Sequence, residues 1–347
     1  MAWTKPMPAH PVVAVAGATG AVGREMLKCL EQLDFPASEV RVLASARSAG
    51  QKLPFAGCGQ VPAGELTVQE MTEESFQGVD IALFSAGASI SKQFRQAVVD
   101  AGAVMIDNSS AFRVDPDVPL VVPEVNAAAI AEHNGVIANP NCTTIVSLVA
   151  INALNQDSPI ESIVASSYQA TSGAGAGGPV ELMNEVEALR EGKTYEPKVF
   201  QYQIAYNVIP QIGGEAFAGY TSEEMKMQNE GRKIMHLPEL KVSCTCVRVP
   251  VVRSHSVSIV VRTKEKISVE RARELIAAAP GCKLVDDLQN KQYPMPLDTS
   301  DQDIVFVGRI RDDLTSDNGL NIWCCGDQVR KGAATNAVQI AQLLIEE

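Results

Sequence analysis

Cys142 stands in Asn139-Pro140-Asn141-Cys142-Thr143-Thr144, a polar stretch that runs straight into an apolar one. Pro140 ends the strand before it, so the spacing predicts a helix over 142–155 with the thiol in its first turn. A helix dipole favours thiolate at that place and lowers the thiol pKa. The N–H groups of the same turn can hold an oxyanion on a thioester or hemithioacetal. From this context alone, a structural thiol and a nucleophile are equally good readings. A nucleophilic thiol also needs a proton carrier, and the chain has four histidines. His10 falls in a proline-rich lead, His133 follows a polar turn and is expected in solvent, and His236 precedes Leu237-Pro238. His255 opens an expected strand after Arg253-Ser254. Imidazole titrates near neutrality and serves either direction of a proton transfer, yet on residues alone a structural histidine is the stronger reading.

A second group of residues has the chemistry of phosphate binding. Gly17-Ala18-Thr19-Gly20-Ala21-Val22-Gly23 lies between an apolar run at 11–16 and a helical pattern at 24–33. Glycines let the backbone approach a pyrophosphate, and the helix start offers N–H groups and positive potential. The placement points to a dinucleotide, with Gly17, Thr19, Gly20, Ala21, Val22 and Gly23 as contacts. An NAD site has Asp or Glu at the end of the second strand to bond the ribose 2′-hydroxyl. Here that stretch is Ala44-Ser45-Ala46-Arg47-Ser48. Arg47 with Ser48 suits a 2′-phosphate through charge-assisted bonds, so the expected cofactor is NADP.

These residues need a scaffold. Strands expected at 11–16, 39–44, 80–84, 104–107 and 120–122 alternate with helices at 24–33 and 91–101. That alternation implies a Rossmann-like, doubly wound parallel sheet. Beyond the helix at 142–155 come strands at 162–169, 241–250, 256–263, 304–309 and 320–325. Helices fall at 180–190 and 268–279, a glycine-rich loop at 172–178, and a long irregular stretch before 241. This is the pattern of an α+β domain with a mostly antiparallel sheet. The expected fold is therefore α/β overall. Residues 1–141 with a last helix over 328–347 form the NADP-binding domain, and 142–327 the catalytic and dimerisation domain.

The 347 residues suit two domains, and 46 % hydrophobic with 20 % charged residues is an ordinary globular composition. The net charge of −12 argues against nucleic-acid or anionic-membrane partners. No apolar run approaches the ~20 residues of a membrane span. Residues 1–11 read as a disordered lead without a signal peptide's apolar segment. A cytoplasmic protein with reduced thiols is expected. Cys244-x-Cys246 and Cys324-Cys325 lack zinc-site spacing and lie in apolar runs, so they are read as packing and no metal site is expected.

The sequence resembles the aspartate-β-semialdehyde dehydrogenase family from about Val12 to the C-terminus. The likeness rests on the Cys142 motif and on Asp107-Asn108-Ser109-Ser110-Ala111-Phe112-Arg113, Val122-Pro123-Glu124-Val125-Asn126 and Ser167-Tyr168-Gln169-Ala170-Thr171-Ser172-Gly173-Ala174-Gly175. Ser222-Glu223-Glu224-Met225-Lys226, Arg248-Val249-Pro250-Val251-Val252-Arg253-Ser254-His255 and Gly326-Asp327-Gln328-Val329-Arg330-Lys331-Gly332-Ala333-Ala334 complete it. The resemblance implies NADPH-dependent conversion of L-aspartyl-4-phosphate to aspartate semialdehyde, with inorganic phosphate as partner. It makes Cys142 the nucleophile, His255 the acid–base and Gln169 an orienting residue. It gives Arg248 the substrate carboxylate, Glu223 the ammonium, and Lys226 and Arg113 the phosphate with Asn141 nearby. Ser172, Gly173 and Gln328 become cofactor contacts. It also implies a homodimer or homotetramer. Without it, Glu223/Lys226 reads as a solvated surface pair and Arg113 as a loop arginine. Two positions depart from the family pattern: Gly231, where many members carry a larger residue, and Gln328, where many carry Asn. An N-acetyl-glutamyl-phosphate reductase shares this mechanism, but its acylated substrate has no ammonium for Glu223. A cofactor sensor without catalysis is the other alternative, and the presence of Cys142, Gln169, Arg248 and His255 together opposes it.

Overall fold

The computed structural model describes residue 3 and residues 5–346, the side chain of residue 346 excepted. The chain divides into two compact units, Met1–Asn141 with Ala333–Glu347, and Cys142–Gly332.

The first unit is built on six parallel strands. Their order is Gln69–Glu70, Glu39–Ala44, Val12–Ala16, Ile81–Phe84, Val104–Asp107 and Val136–Ala138. Every residue of the last three is buried, as a sheet covered on both faces requires. Helix Ala21–Gln32 supplies Met26, Leu27, Cys29 and Leu30 to the core, and helix Thr335–Glu346 supplies Ala337, Val338, Ile340, Ala341 and Leu344. Three expectations change. The first helix starts at Ala21, so Ala21, Val22 and Gly23 belong to its first turn. The run at 120–122 makes one bridge, Leu120 to Ala138, because the chain turns at once into the short helix Pro123–Asn126. The lead is ordered where it is described, and residues 1, 2 and 4 of it lie outside the described residues. Trp3 packs on the core with its ring tilted against that of His133, centres 5.6 Å apart, while Lys5 bonds Asp80 and the Gly102 carbonyl.

The second unit has a six-stranded mixed sheet. The order is Lys241–Arg248, Ile160–Gln169, His255–Thr263, Gly319–Gly326, Val305–Asp312 and Cys282–Leu284. The outermost pair at each edge is parallel and the three inner pairings are antiparallel. Helices Cys142–Asp157, Ser222–Ile234 and Val269–Ala278 pack against it. Cys142–Asp157 is buried from Thr143 to Leu154 without a polar side, so it is a core helix rather than an amphipathic one. The strand Ile160–Gln169 alternates, with Ile163, Ala165, Ser167 and Gln169 inward and Val164 and Tyr168 outward. The outward face carries Tyr168 against Trp323, ring centres 5.6 Å apart. Cys244, Cys246, Cys324 and Cys325 are all buried in these strands, in keeping with packing. The last helix begins at Thr335 rather than 328, after a π-helical turn over Arg330–Ala334. Residues 328–332 therefore belong to the second unit.

Candidate active site

Cys142 is the first residue of its helix and is partly exposed. One turn on, Val146 lies against Gly326, where a Cβ would come within 2.9 Å of its side chain. Gly326 is the register partner of His255. The first turns of the Cys142 helix thus lie over the sheet end at which His255 begins. Gly332 keeps the thiol's surroundings open, since a Cβ there would stand 2.9 Å from the Cys142 Cβ.

Three strands bring polar side chains to that sheet end. Gln169 is the last residue of its strand, and Arg248, its register partner, is the last of the parallel neighbour. His255 is the first residue of the antiparallel neighbour. All three are buried, His255 completely. The chain returns from Arg248 to His255 through a turn that closes at Ser254 with φ +74°. A Cβ on Gly173 would lie 2.8 Å from Arg248 Nη1 and 3.2 Å from His255 Nε2. Arg248 and His255 therefore converge on one spot, which only a glycine leaves open.

The ring of His255 has a defined protonation. The Ala170 N–H donates to Nδ1 at 3.0 Å, so the neutral ring carries its proton on Nε2. Nε2 is buried without a protein partner. Burial, and then the nearby Arg248 charge, hold the pKa well below the usual histidine value. Arg248 donates from Nη1 to the Ala170 carbonyl at 2.6 Å, and its guanidinium lies over the Phe200 ring at 5.8 Å. Burial lowers its pKa, while negative charge on Cys142 and Glu223 pulls it back up.

Glu223 sits in the first turn of Ser222–Ile234, a helix opened by a capping box between Thr221 and Glu224. Its Oε2 accepts from Lys226 Nζ at 2.6 Å and its Oε1 from Gln169 Nε2 at 3.3 Å. The Glu223 side chain is 11 % exposed, so the solvated surface pair is corrected to a half-buried one tied to the active strand. The helix escaped the sequence reading, although Thr221-x-x-Glu224 was its visible signal. Residue 231 of that helix faces Leu240, and a Cβ on Gly231 would make ordinary contact at 3.4 Å.

The chain matches two family profiles. "Semialdehyde dehydrogenase, NAD binding domain" covers residues 12–133, and "Semialdehyde dehydrogenase, dimerisation domain" covers residues 151–331. It is 48 % identical to aspartate-semialdehyde dehydrogenase of Synechocystis over 98 % of this chain and 99 % of that one. Identity to the Aquifex aeolicus enzyme of the same name is 50 %, over 96 % and 98 %. Aspartate semialdehyde dehydrogenase II from Vibrio cholerae, solved complexed with ASA, superposes with a TM-score of 0.93 at 43 % identity, covering 97 % and 99 %. The chain belongs to the aspartate-semialdehyde dehydrogenase family. It is an oxidoreductase with a nucleotide-binding domain and a dimerisation domain.

The family's nucleotide-binding unit has a cradle of fitting shape here. Gly17 has φ +84°, and a Cβ on it would strike the Ser85 carbonyl at 2.3 Å. A Cβ on Gly23 would strike the Gly17 carbonyl at 2.2 Å. Gly20 caps the helix without a side-chain hydrogen bond, and no acidic residue occupies the first turn. The turn offers N–H groups to an anion. Arg47 and Ser48 form a 3-10 turn just past strand Glu39–Ala44; Arg47 is exposed and makes no ion pair among the described residues, while Ser48 is buried. Arg113, read from sequence as a loop arginine, is buried and bonds the Asn108 and Asn139 carbonyls. Asn141, directly before Cys142, is buried too. In the dimerisation domain of this family member, Gln328 donates to Ser172 and accepts the Ser254 N–H at 2.9 Å. That network ties Ser172, Gln328 and the turn before His255 together. Asp327, quoted in a motif but given no role, anchors the same turn: it binds Arg253 at 2.6 Å and accepts three backbone N–H groups. His133 lies far from solvent, contrary to expectation, and burial lowers its pKa to about 4.

Proposed function

We propose that this enzyme reduces L-aspartyl-4-phosphate to L-aspartate 4-semialdehyde with NADPH, and runs the phosphorylating oxidation in reverse. One observation supports it: Arg248 and His255 converge at Gly173 beside Gln169, which donates to Glu223, so a buried cation and a carboxylate of opposite charge stand at the same sheet end. That charge pattern suits a substrate with an α-carboxylate and an α-ammonium flanking the reacting carbonyl. The names of the relatives support it, as does the ASA complex of the Vibrio cholerae enzyme.

In this mechanism Cys142 thiolate attacks the acyl carbon, and the C–O bond to phosphate breaks to leave a thioester. Splitting the reaction at a covalent intermediate lowers each barrier. NADPH, when bound, supplies the hydride that reduces the thioester. Gln169 orients the acyl group. His255 serves the hemithioacetal oxygen through Nε2, donating to it and exchanging its proton there, before the C–S bond breaks and frees aldehyde and thiolate. Arg248 holds the carboxylate bidentately and Glu223 the ammonium. Lys226 and Arg113, with Asn141, receive the phosphate.

The Gly17–Gly23 loop, through Gly17, Thr19, Gly20, Ala21, Val22 and Gly23, would hold the pyrophosphate, and Arg47 with Ser48 the 2′-phosphate. Ser172, Gly173 and Gln328 would border the nicotinamide. Residues 1–141 with the last helix are the NADP domain, and 142–332 carry catalysis and dimerisation, with the Val164, Tyr168 and Trp323 face available to a second copy. We assign the enzyme to the cytoplasm and to lysine, threonine and methionine biosynthesis. The test is NADP⁺ reduction with aspartate semialdehyde. It should require inorganic phosphate, exceed NAD⁺ reduction, and not occur with the N-acetyl-glutamyl semialdehyde. NADPH binding without turnover, or preference for the acetylated substrate, would contradict the proposal.

A further inference from the structure

Behind Arg248 runs an arm of chain, residues 198–209, without regular secondary structure. Its backbone donors have to be satisfied by something other than a helix or sheet ladder. Two buried carboxylates do this, Glu181 and Glu185, one turn apart on helix Gly177–Arg190. Glu181 Oε2 accepts the N–H groups of Lys198 and Val199, both at 2.7 Å, and its Oε1 accepts that of Phe200 at 3.0 Å. Glu185 Oε2 accepts those of Ile204 and Ala205 at 2.8 and 2.7 Å.

The clamped arm touches Arg248 twice. The Phe200 ring underlies the guanidinium at 5.8 Å, a cation–π contact. Ile209 exchanges both main-chain hydrogen bonds with Arg248, at 2.9 and 3.0 Å. The helix itself is fixed to the active strand's exit. A Cβ on Gly178 would collide with the Thr171 carbonyl and come within 3.3 Å of Phe200. Helix, arm and the Gln169–Thr171 corner are therefore one block, and the aim of the guanidinium depends on it.

We propose that Glu181 and Glu185 are positioning residues for recognition of the substrate's α-carboxylate, acting through Phe200 and Ile209 on Arg248. This rests on the reading that Arg248 binds that carboxylate. A glutamine cannot replace Glu181, because its amide NH₂ would face a backbone donor in either orientation. At Glu185 both N–H groups go to Oε2 and Oε1 is without a partner, so a leucine is needed to remove that clamp. A small misplacement of a binding group is enough to lose much of its effect.

The test compares aspartate semialdehyde with 3-aminopropanal, the same aldehyde without the α-carboxylate, in wild type, Glu181→Gln, Glu185→Leu and Arg248→Ala. In Glu181→Gln the preference in kcat/KM for the carboxylate-bearing aldehyde should fall about tenfold or more. The loss should lie mainly in KM for the semialdehyde, with KM for NADP⁺ and turnover of 3-aminopropanal near wild type. Glu185→Leu, which leaves the Phe200 anchor in place, should move the same way by less and guards against a misfolded first variant. An unchanged preference in both folded variants, with preference lost in Arg248→Ala, would overturn the clamp role alone. Equal losses on both aldehydes would also overturn it, as mere structural damage. Preference retained in Arg248→Ala would instead remove the reading beneath it.

Discussion

The His255 ring is held neutral with its one proton on the nitrogen that faces Gly173 and Arg248. A histidine with a depressed pKa stays neutral through the range where an ordinary one gains charge. In a proton NMR titration of the four histidines, His255 should therefore show no midpoint at or above pH 6.5; such a midpoint would contradict the burial argument. His255→Asn should cost on the order of 10²–10⁴ in turnover, with NADPH affinity kept. Turnover near wild type would refute the role. At this scale the residues alone left Cys142 open between a structural and a reactive thiol and favoured a structural His255; the helix start at Cys142 and the strand start at His255 were legible, because a polar helix start and a histidine after a turn are local features. The sequence misjudged Glu223, Lys226, Arg113 and His133 as solvated when read without the family. Their burial comes from segments distant in the chain, such as Gln169 beside Glu223 and Trp3 over His133.

Elements decide where these residues meet. Strands ending at Gln169 and Arg248, and one beginning at His255, bring three buried polar groups to a single sheet edge. Their spans were legible from alternation to within two residues. The short strand Val136–Ala138 and the hairpin Lys52–Phe55/Gly64–Thr67 were not read, nor was the helix Ser222–Ile234, whose polar sequence has a weak apolar stripe. The N-terminal lead was misread because composition cannot reveal that Trp3 has a seat beside Gly135 and His133. That seat has a pH consequence. His133 has a pKa of about 4 when folded, against 6.5 for an ordinary histidine. As pH falls through this window the unfolded chain takes up a proton that the folded one refuses, so stability falls. His133→Asn can still accept the Gly135 N–H, which now goes to Nδ1 at 3.1 Å. Its melting temperature should decline less steeply than wild type between pH 6.5 and 4. An identical slope would show that His133 is not the group responsible.

At the scale of the whole molecule, a unit with a parallel sheet and a glycine cradle and a unit with a mixed sheet and the Cys142 helix make up one chain. Strand–helix alternation in the first third and a changed pattern after Cys142 were enough to expect this division. The exact return point of the C-terminal segment was not, because the π-helical turn at Arg330–Ala334 has no apolar period of its own. The proposed reaction passes through a covalent bond to Cys142. The most direct measurement mixes enzyme with NADP⁺ and aspartate semialdehyde without phosphate, follows NADPH in the first turnover, and weighs the peptide that contains Cys142. A thioester at Cys142 gives a burst of about one NADPH per subunit, an acyl adduct on Cys142 that added phosphate removes, and neither in Cys142→Ala. NADPH formation without an adduct, or a burst that survives in Cys142→Ala, would contradict it.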